Sequence, residues 1–326
     1  MITVKLAGRF LIAAALIALT GAAAAQEYPS RVIRIVVPSS PGSASDLYAR
    51  IIASALQASW GRQAIVENRA GATGAIGSEF VLRSPPDGYT LLFTTDTGYV
   101  LGPLLMEPRP YDIVADATPI TKVAKFPLYL VIHPSIPARS LTEFIALARS
   151  RPGSLNYSSS GQGGISHMAA ELFNSAAGIK ASHLPYKGGG PALQAVVTGE
   201  GQYLFNNIGL SQALVAAGRL RGVAITGDKR SPAAPAIPTF SEAGIRGMEN
   251  VYSWLGVLGP AKLPPAIVSR LNTELIRIMR TPEFEGRVLK DGYTLVANTP
   301  TQFASEIQSD VDVWSRVIRD KGIKAQ

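Results

Sequence analysis

Strand-like and helix-like segments alternate along nearly the whole chain. Residues 31–37 are β-branched and apolar, whereas 46–57 place Leu47, Ile51 and Leu56 on one helical face. A β-loop-α alternation of this kind builds layered α/β folds, because each helix covers one face of a sheet. The first part of the chain is therefore predicted to be α/β with a mostly parallel sheet.

The same alternation continues and predicts two lobes. Further strands are predicted at 64–67, 90–94, 155–158 and 220–226, and further helices at 74–82, 141–148, 166–177, 265–279 and 301–319. Two apolar strands, 128–132 and 252–258, are placed to cross between the lobes. Two crossings predict a hinged cleft, with lobe 1 formed by 26–126 and 251–326 and lobe 2 by 127–250.

The amino terminus has the features of a secretory signal. Lys5 and Arg9 precede an apolar run, 10–19, and the small residues 21–25 follow it. The apolar run is about half of the ~20 residues that a transmembrane helix needs, so we predict a signal peptide, 1–25, that is cleaved after Ala25. Removing 25 of the 326 residues leaves 301, enough for two domains of a soluble, periplasmic protein.

Composition narrows the classes of function. Cysteine is absent, which excludes a disulfide framework, a thiol nucleophile and a lipid anchor on cysteine. The net charge is +8, and +6 without the two cations of the predicted signal peptide. Because lysine and arginine are scattered along the chain, the charge predicts a general attraction for anions and no nucleic-acid binding.

Two loops rich in serine and glycine each join a strand to a helix. The first loop, 37–46, reads VPSSPGSASD, and the second loop, 157–167, reads YSSSGQGGISH. Free N–H groups at a helix start attract anions, and ligands of open α/β sheets lie beyond the carboxyl ends of the strands. Either loop alone is also an ordinary helix start. Together with the two crossings, they predict a clamp across a cleft.

The residues that carry most enzyme chemistry do not form a catalytic pattern. His133, His167 and His183 are far apart and lack the spacing of metal ligands, and no G-x-S-x-G nucleophile motif is present. The glycines do not match the nucleotide-binding motifs either. We therefore predict no metal, no cofactor and no enzymatic activity. His183 is expected in a turn, and the triple glycine 188–190 in a flexible loop.

Several further motifs carry a resemblance that covers essentially the whole mature chain. They are YPSR (28–31), IVVP (35–38), ENRAG (67–71) with Gly74 and Gly77, PDGYTLL (86–92), SSSGQGGISH (158–167), HLPYKG (183–188) and PTFSEAG (238–244). Jointly, they resemble the Bug (Bordetella uptake gene) family, the periplasmic receptors of tripartite tricarboxylate transport. The resemblance implies a Venus-flytrap fold of the type II-like periplasmic binding proteins, in which backbone amides and water hold a carboxylate.

The resemblance also implies the residues at the ligand. In the first loop they are Ser40, Pro41, Gly42, Ser43 and Asp46, and in the second loop Ser160, Gly161, Gly163, Gly164 and His167. The first loop departs from the family pattern at three serines, so a more polar pocket is expected. Acids that family members often carry are replaced at Ala195, Gln202 and Asn206, which favours a plain mono- or dicarboxylate over an amino acid.

Three acid or hydroxyl positions have two interpretations. A carboxylate at Asp46, in the first helical turn, is favoured by the helix dipole without any ligand, and it is equally placed to accept a hydrogen bond from one. Thr95 and Asp96 follow a predicted strand, where they either reach the cleft or lie in a solvated turn. All three are kept as candidate ligand contacts.

The predicted function is that of a solute-binding receptor. We expect a monomer that closes around a small carboxylate and presents it to the membrane subunits of a tripartite tricarboxylate transporter. Dicarboxylates rank first, aromatic carboxylates second and acidic amino acids third. The alternative is a ligand sensor that delivers its closed form to a signalling receptor.

Overall fold

The structure, a computed structural model, describes residues 28–186 and 188–323, so the predicted signal peptide lies outside the described residues. The strands are β1 (Ile33–Val37), β2 (Ala64–Asn68), β3 (Thr90–Thr95), β4 (Ala117–Ile132), β5 (Leu155–Ser159), β6 (Ala181–Pro185), β7 (Tyr203–Asn207), β8 (Arg221–Ile225), β9 (Tyr252–Pro260) and β10 (Thr294–Leu295). The helices of eight or more residues are α1 (Ala44–Trp60), α2 (Ala75–Leu82), α3 (Leu141–Ser150), α4 (Ile165–Ala176), α5 (Gly189–Val197), α6 (Ile208–Ala216), α7 (Pro265–Met279), α8 (Pro282–Lys290) and α9 (Pro300–Lys321). A π-helical segment, Thr97–Leu101, follows β3.

The long strand β4 belongs to both halves of the sheet. The strand order in the described residues is β2-β1-β3-β9-β4-β7-β5-β6, and β8 and β10 also pair with β4. From Ala117 to Pro127, β4 pairs with β9, and from Leu128 to Ile132 it pairs with β7 and β8. β9 starts opposite Pro127, at the point where β4 passes from one half into the other.

The prediction of a mostly parallel sheet in the first half is wrong. Only β2, β1 and β3 are parallel to one another, whereas β9 is antiparallel to β3 and β4, and β10 is antiparallel to β4. Parallel neighbours need a crossover connection, usually a helix. β9 instead returns from the second half and runs against both of its neighbours. The sequence also revealed only the end of β4, because Pro119, Lys122 and Lys125 interrupt its apolar pattern.

Two local predictions in the second half are wrong as well. His183 lies in the strand β6 and not in a turn, and Gly189 and Gly190 begin helix α5 instead of forming a loop. β6 is the edge strand of a parallel group in which β5 pairs with both β6 and β7. An edge strand tolerates a terminal proline such as Pro185, and glycine is accepted at a helix N-cap such as Gly188.

Buried side chains on both faces of the first sheet fix the loops at its edge. On one face Ile33 and Ile35 pack in a cluster with α1, and on the other Val36 and Leu92 pack in a cluster that includes α2. These strands are almost fully buried, so the loops that follow them start from rigid points. No helix in the described ranges is long and apolar enough to span a membrane.

Candidate functional site

The first loop leads from the carboxyl end of β1 into α1. Ser43 is the N-cap of the helix, and its hydroxyl accepts a hydrogen bond from the Asp46 N–H at 3.2 Å. Ser40, Pro41 and Gly42 form the exposed tip, and Gly42 has a φ of +79°. The structure therefore places these four predicted residues at the accessible edge of the sheet, beside a helix start.

Asp46 holds this loop together. Its carboxylate accepts hydrogen bonds from the Gly42 N–H at 2.9 Å, from Asn68 Nδ2 at 3.0 Å and from Arg50 Nε at 3.1 Å. Burial raises the pKa of Asp46, but the hydrogen bonds from Arg50, Gly42 and Asn68 lower it further, so the pKa lies below its usual value. Asp46 is 2% exposed. These contacts support its structural interpretation, and contact with a ligand stays a prediction.

The second loop repeats the arrangement at the carboxyl end of β5. Gly164 is the N-cap of α4 and offers no side-chain acceptor to the helix. The Gly163 N–H donates to His167 Nδ1 at 3.0 Å, and the Ser160 N–H donates to Ser166 Oγ at 2.8 Å. Gly161 and Gly163 have φ values of +134° and +71°, which glycine adopts most easily. The five predicted residues of this loop thus lie together.

Two histidines that are distant in sequence stack beneath the second loop. The rings of His167 and His183 are parallel within 1°, with centroids 4.0 Å apart, and Tyr157 stacks on His183 at 4.8 Å. Ser159 Oγ is 2.6 Å from His183 Nε2. No sequence pattern indicated this pairing, because one histidine lies on a helix and the other on a strand.

Both histidines are uncharged at neutral pH. Burial lowers the pKa of His167 to about 4, and burial together with the neighbouring His167 lowers the pKa of His183 to about 4. A neutral ring is required for His167 Nδ1 to accept the Gly163 N–H. The described residues contain no group of three or more histidine, cysteine or carboxylate side chains that could hold a metal ion.

The segment after β3 touches both loops. The Ile165 N–H at the start of α4 donates to Thr97 Oγ1 at 3.2 Å. A Cβ added at Gly98 would lie 3.6 Å from Pro38 Cγ in the first loop, and one added at Gly163 would lie 1.9 Å from Leu105 Cδ1. The segment from Thr97 to Leu105 therefore lies beside Pro38 of the first loop and beside the second loop, and a clamp formed by the two loops stays a prediction.

Thr95 and Asp96 support this segment from within. Thr95 Oγ1 accepts the Gly98 N–H at 3.2 Å. Asp96 is 1% exposed, and its Oδ1 accepts hydrogen bonds from Ser253 Oγ at 2.5 Å and from the Trp254 N–H at 3.4 Å. Burial raises the pKa of Asp96 to about 7. Its carboxyl group points into the interior, toward β9, and a role at the ligand stays a prediction.

A family model described as the tripartite tricarboxylate transporter family receptor matches residues 48–323. The chain belongs to this family. It is 34% identical over 302 residues to the protein BugT of Bordetella pertussis, with 92% of each chain covered. The resemblance to the Bug family found in the sequence is therefore confirmed.

Solved structures of the family agree with the fold. R. palustris Rpa4515 with adipate is 31% identical and has a TM-score of 0.82, with 91% of this chain and 99% of that chain covered. MatC from Rhodopseudomonas palustris with bound malate is 27% identical and has a TM-score of 0.78, with 89% and 100% covered. The predicted fold class, that of the periplasmic binding proteins, is confirmed. The family consists of periplasmic solute-binding receptors and not of enzymes.

Proposed function

We propose that this chain captures a small carboxylate, preferably a dicarboxylate, in the periplasm and presents it to the membrane subunits of a tripartite tricarboxylate transporter. The observation that carries the proposal is that the segment after β3 lies beside Pro38 of the first loop and accepts a hydrogen bond from the start of α4 in the second loop. The adipate and malate in Rpa4515 and MatC support a carboxylate ligand. The signal peptide 1–25 is part of the proposal.

Backbone N–H groups at the helix starts are proposed to bind the carboxylate. The hydrogen bonds within the loops occupy the N–H groups of Gly42 and Gly163. The first N–H groups of each helix, however, have no partner within the helix, and they carry its positive dipole end. In α1 these belong to Ala44 and Ser45. A charge-assisted hydrogen bond contributes about 1.5–3 kcal/mol, so a few such contacts reach the ~8 kcal/mol of micromolar binding.

The predicted site residues divide into two roles in this proposal. Ser40, Pro41, Gly42 and Ser43 of the first loop, and Ser160, Gly161, Gly163 and Gly164 of the second, surround the ligand. Asp46 and His167 are positioning residues, because each accepts the N–H of a glycine four residues earlier and so fixes the shape of its loop. Thr95 orients the segment between the loops.

Closure of two lobes completes the mechanism. We place lobe 1 at 26–126 and 251–326 and lobe 2 at 127–250. The change of partners along β4 at Pro127 and Leu128, beside the start of β9, supports these boundaries and makes this region the hinge. A ligand that touches both helix starts favours the closed form, because it gains contacts that the open form lacks. The receptor is proposed to act as a monomer.

The proposal is tested by binding to the mature chain, residues 26–326. A carboxylate at 100 times its Kd adds about 2.7 kcal/mol to the free energy of unfolding, which a thermal-shift screen with malate, succinate and adipate detects. Calorimetry then gives the Kd of each hit. If none of these acids shifts the melting temperature of folded, ligand-free protein, the proposal is refuted. Loss of uptake of the bound acid in a deletion strain would support the transport role, and normal uptake would contradict it.

One substitution tests the helix start directly. Ala44→Pro removes a single N–H at the first position of α1, where proline fits, and the preceding Ser43 has the extended φ and ψ of −66° and 162° that proline requires. We expect affinity to fall about 10- to 100-fold, since one charge-assisted hydrogen bond is lost, while the melting temperature is unchanged. Ala44→Ser keeps the N–H and serves as the control. Equal affinities of the two variants would show that this donor is not used.

A further inference from the structure

A third helix start lies on the same edge as the second loop. β5, β6 and β7 are parallel, so their carboxyl ends meet at one edge of the sheet. Helix α5 begins there, directly after Gly188, which has a φ of +109° and provides no side-chain cap. The Gly188 N–H donates to the Ser160 carbonyl at 3.1 Å, so the start of α5 adjoins the second loop.

Asn206, near the end of β7, faces this helix start. Its side-chain amide lies against Gly189, where an added Cβ would be 3.1 Å from Asn206 Oδ1. Asn206 is only 7% exposed, yet its Nδ2 has no hydrogen-bond partner within the described part of the chain. A buried amide donor is costly when it stays unpaired, so its presence points to a polar group from outside the chain.

The chemistry of this corner suits an anion. The N–H groups of Gly189 and Gly190 precede the first hydrogen bond of the helix, in which the Ala192 N–H reaches the Gly188 carbonyl. They add two donors and the positive end of the helix dipole to the Asn206 amide. A Cβ added at Gly188 or Gly190 would meet nothing within 4 Å, so there is space beside these donors.

We propose that the start of α5 and Asn206 bind the second carboxylate of a dicarboxylate whose first carboxylate is held by the first and second loops. Asn206 then decides between dicarboxylates and monocarboxylates. This inference rests on the proposed function and specifies its substrate class.

The test compares two acids of equal chain length, adipate and hexanoate, by calorimetry on the mature chain. Asn206→Asp puts a negative charge against the second carboxylate, and Asn206→Leu removes the donor without adding charge. We expect each to weaken adipate about 10- to 100-fold, the loss of a charge-assisted hydrogen bond, and to change hexanoate less than about threefold. Gln194→Glu is the matched control. It adds the same charge at an exposed position of α5 and leaves Asn206 and the start of the helix unchanged.

The outcomes separate the two proposals. Selective loss of adipate in both Asn206 variants, with the control close to wild type, supports the second carboxylate site. If wild type binds adipate but the variants lose both acids equally or neither, the site is refuted while the proposed function stands. If wild type binds hexanoate as tightly as adipate, the site is refuted too. If wild type binds no carboxylate, both proposals fail. Asn206→Leu keeps the test decisive if the buried charge of Asn206→Asp prevents folding.

Discussion

The buried carboxyl group of Asp96 contributes to the pH dependence of the free energy of unfolding, and Asp96→Asn should remove this contribution. Burial raises the pKa of this group in the folded state from 3.8 to about 7, although hydrogen bonds from Ser253 and Trp254 oppose the shift. Between pH 4 and 7 the folded state keeps a proton that the unfolded chain releases. Stability linked to this proton is therefore present at low pH and is lost as the pH rises through 7. Asparagine has no such proton and keeps the same shape.

The size of the effect follows from the two pKa values. For a group at 3.8 unfolded and about 7 folded, linkage makes the wild type lose about 2–3 kcal/mol between pH 5 and pH 8. Between pH 5 and pH 8, the free energy of unfolding of Asp96→Asn should therefore rise by about 2–3 kcal/mol relative to that of the wild type. The new amide can still accept the Ser253 hydroxyl through its Oδ1, so few contacts are lost. Other titrating groups are present in both proteins and largely cancel in the difference.

Urea unfolding at pH 5, 6, 7 and 8 measures the difference. Asp112→Asn is the control, because backbone hydrogen bonds from Ala115 and Val114 lower the pKa of Asp112, and its difference from wild type should stay flat above pH 5. An Asp96→Asn difference that changes by less than about 1 kcal/mol would refute the assignment of a buried neutral acid. Ligand affinity should stay within about twofold, since the group points inward, and a larger loss would mean that Asp96 contacts the ligand.

Three further predictions concern the two loops. Because the folded pKa of His167 is depressed to about 4, its contribution to stability is complete above pH 6.5 and is lost as the pH falls toward 4. As the pH falls from 7 to 5, the free energy of unfolding of His167→Gln, measured in urea, should therefore fall by about 2 kcal/mol less than that of the wild type. Parallel pH profiles of the two proteins would contradict this. Gly163→Ala should cost about 1–3 kcal/mol, since its Cβ would lie 1.9 Å from Leu105 Cδ1 at a positive φ, and Leu105→Ala should restore part of it in the same assay. Asp46→Ala should lower the free energy of unfolding by about 2–3 kcal/mol, and it should weaken ligand binding more than Arg50→Ala does. Equal Kd values for these two variants would argue that Asp46 does not position the first loop for the ligand.

The sequence revealed those parts of the fold that local patterns encode. Helix α1 has clear periodicity, strand β1 is β-branched and apolar, and the serine and glycine content of the two loops marks the helix starts that follow them. The sequence predicted only part of β4, because this long strand runs through both halves of the sheet and contains prolines and lysines that interrupt its apolar pattern. The antiparallel position of β9 depends on long-range connections that no local pattern records.

Contacts between distant residues account for what the sequence missed in the site. His167 and His183 are brought together by the packing of α4 on β6, and each residue alone looks like an ordinary polar side chain. The sequence marked Asn206 only as a position where an acid is replaced, and its unpaired amide beside the start of α5 depends on the packing of distant segments. Asp46, in contrast, could be narrowed to two roles from its position in the first helical turn, and its contacts favour the structural one.

The two loops share one hydrogen-bond arrangement but use different acceptor groups, a carboxylate and an imidazole, and this difference predicts how acid affects each loop. In both loops the N–H of a glycine donates to a side chain four residues later, from Gly42 to Asp46 and from Gly163 to His167. Protonation of His167 removes the acceptor of the Gly163 N–H, whereas a protonated Asp46 carboxyl group keeps an acceptor oxygen for the Gly42 N–H. The pKa of Asp46 lies below its usual value, and that of His167 is about 4 in the folded protein. When the second loop unfolds, the His167 pKa returns to about 6.5, so lowering the pH below 6.5 favours the unfolded loop. Acidification should therefore loosen the second loop before the first, and amide hydrogen exchange at Gly163 should accelerate relative to Gly42 between pH 6 and 4 once the intrinsic rates are divided out. Equal protection factors at the two glycines across this range would contradict the argument.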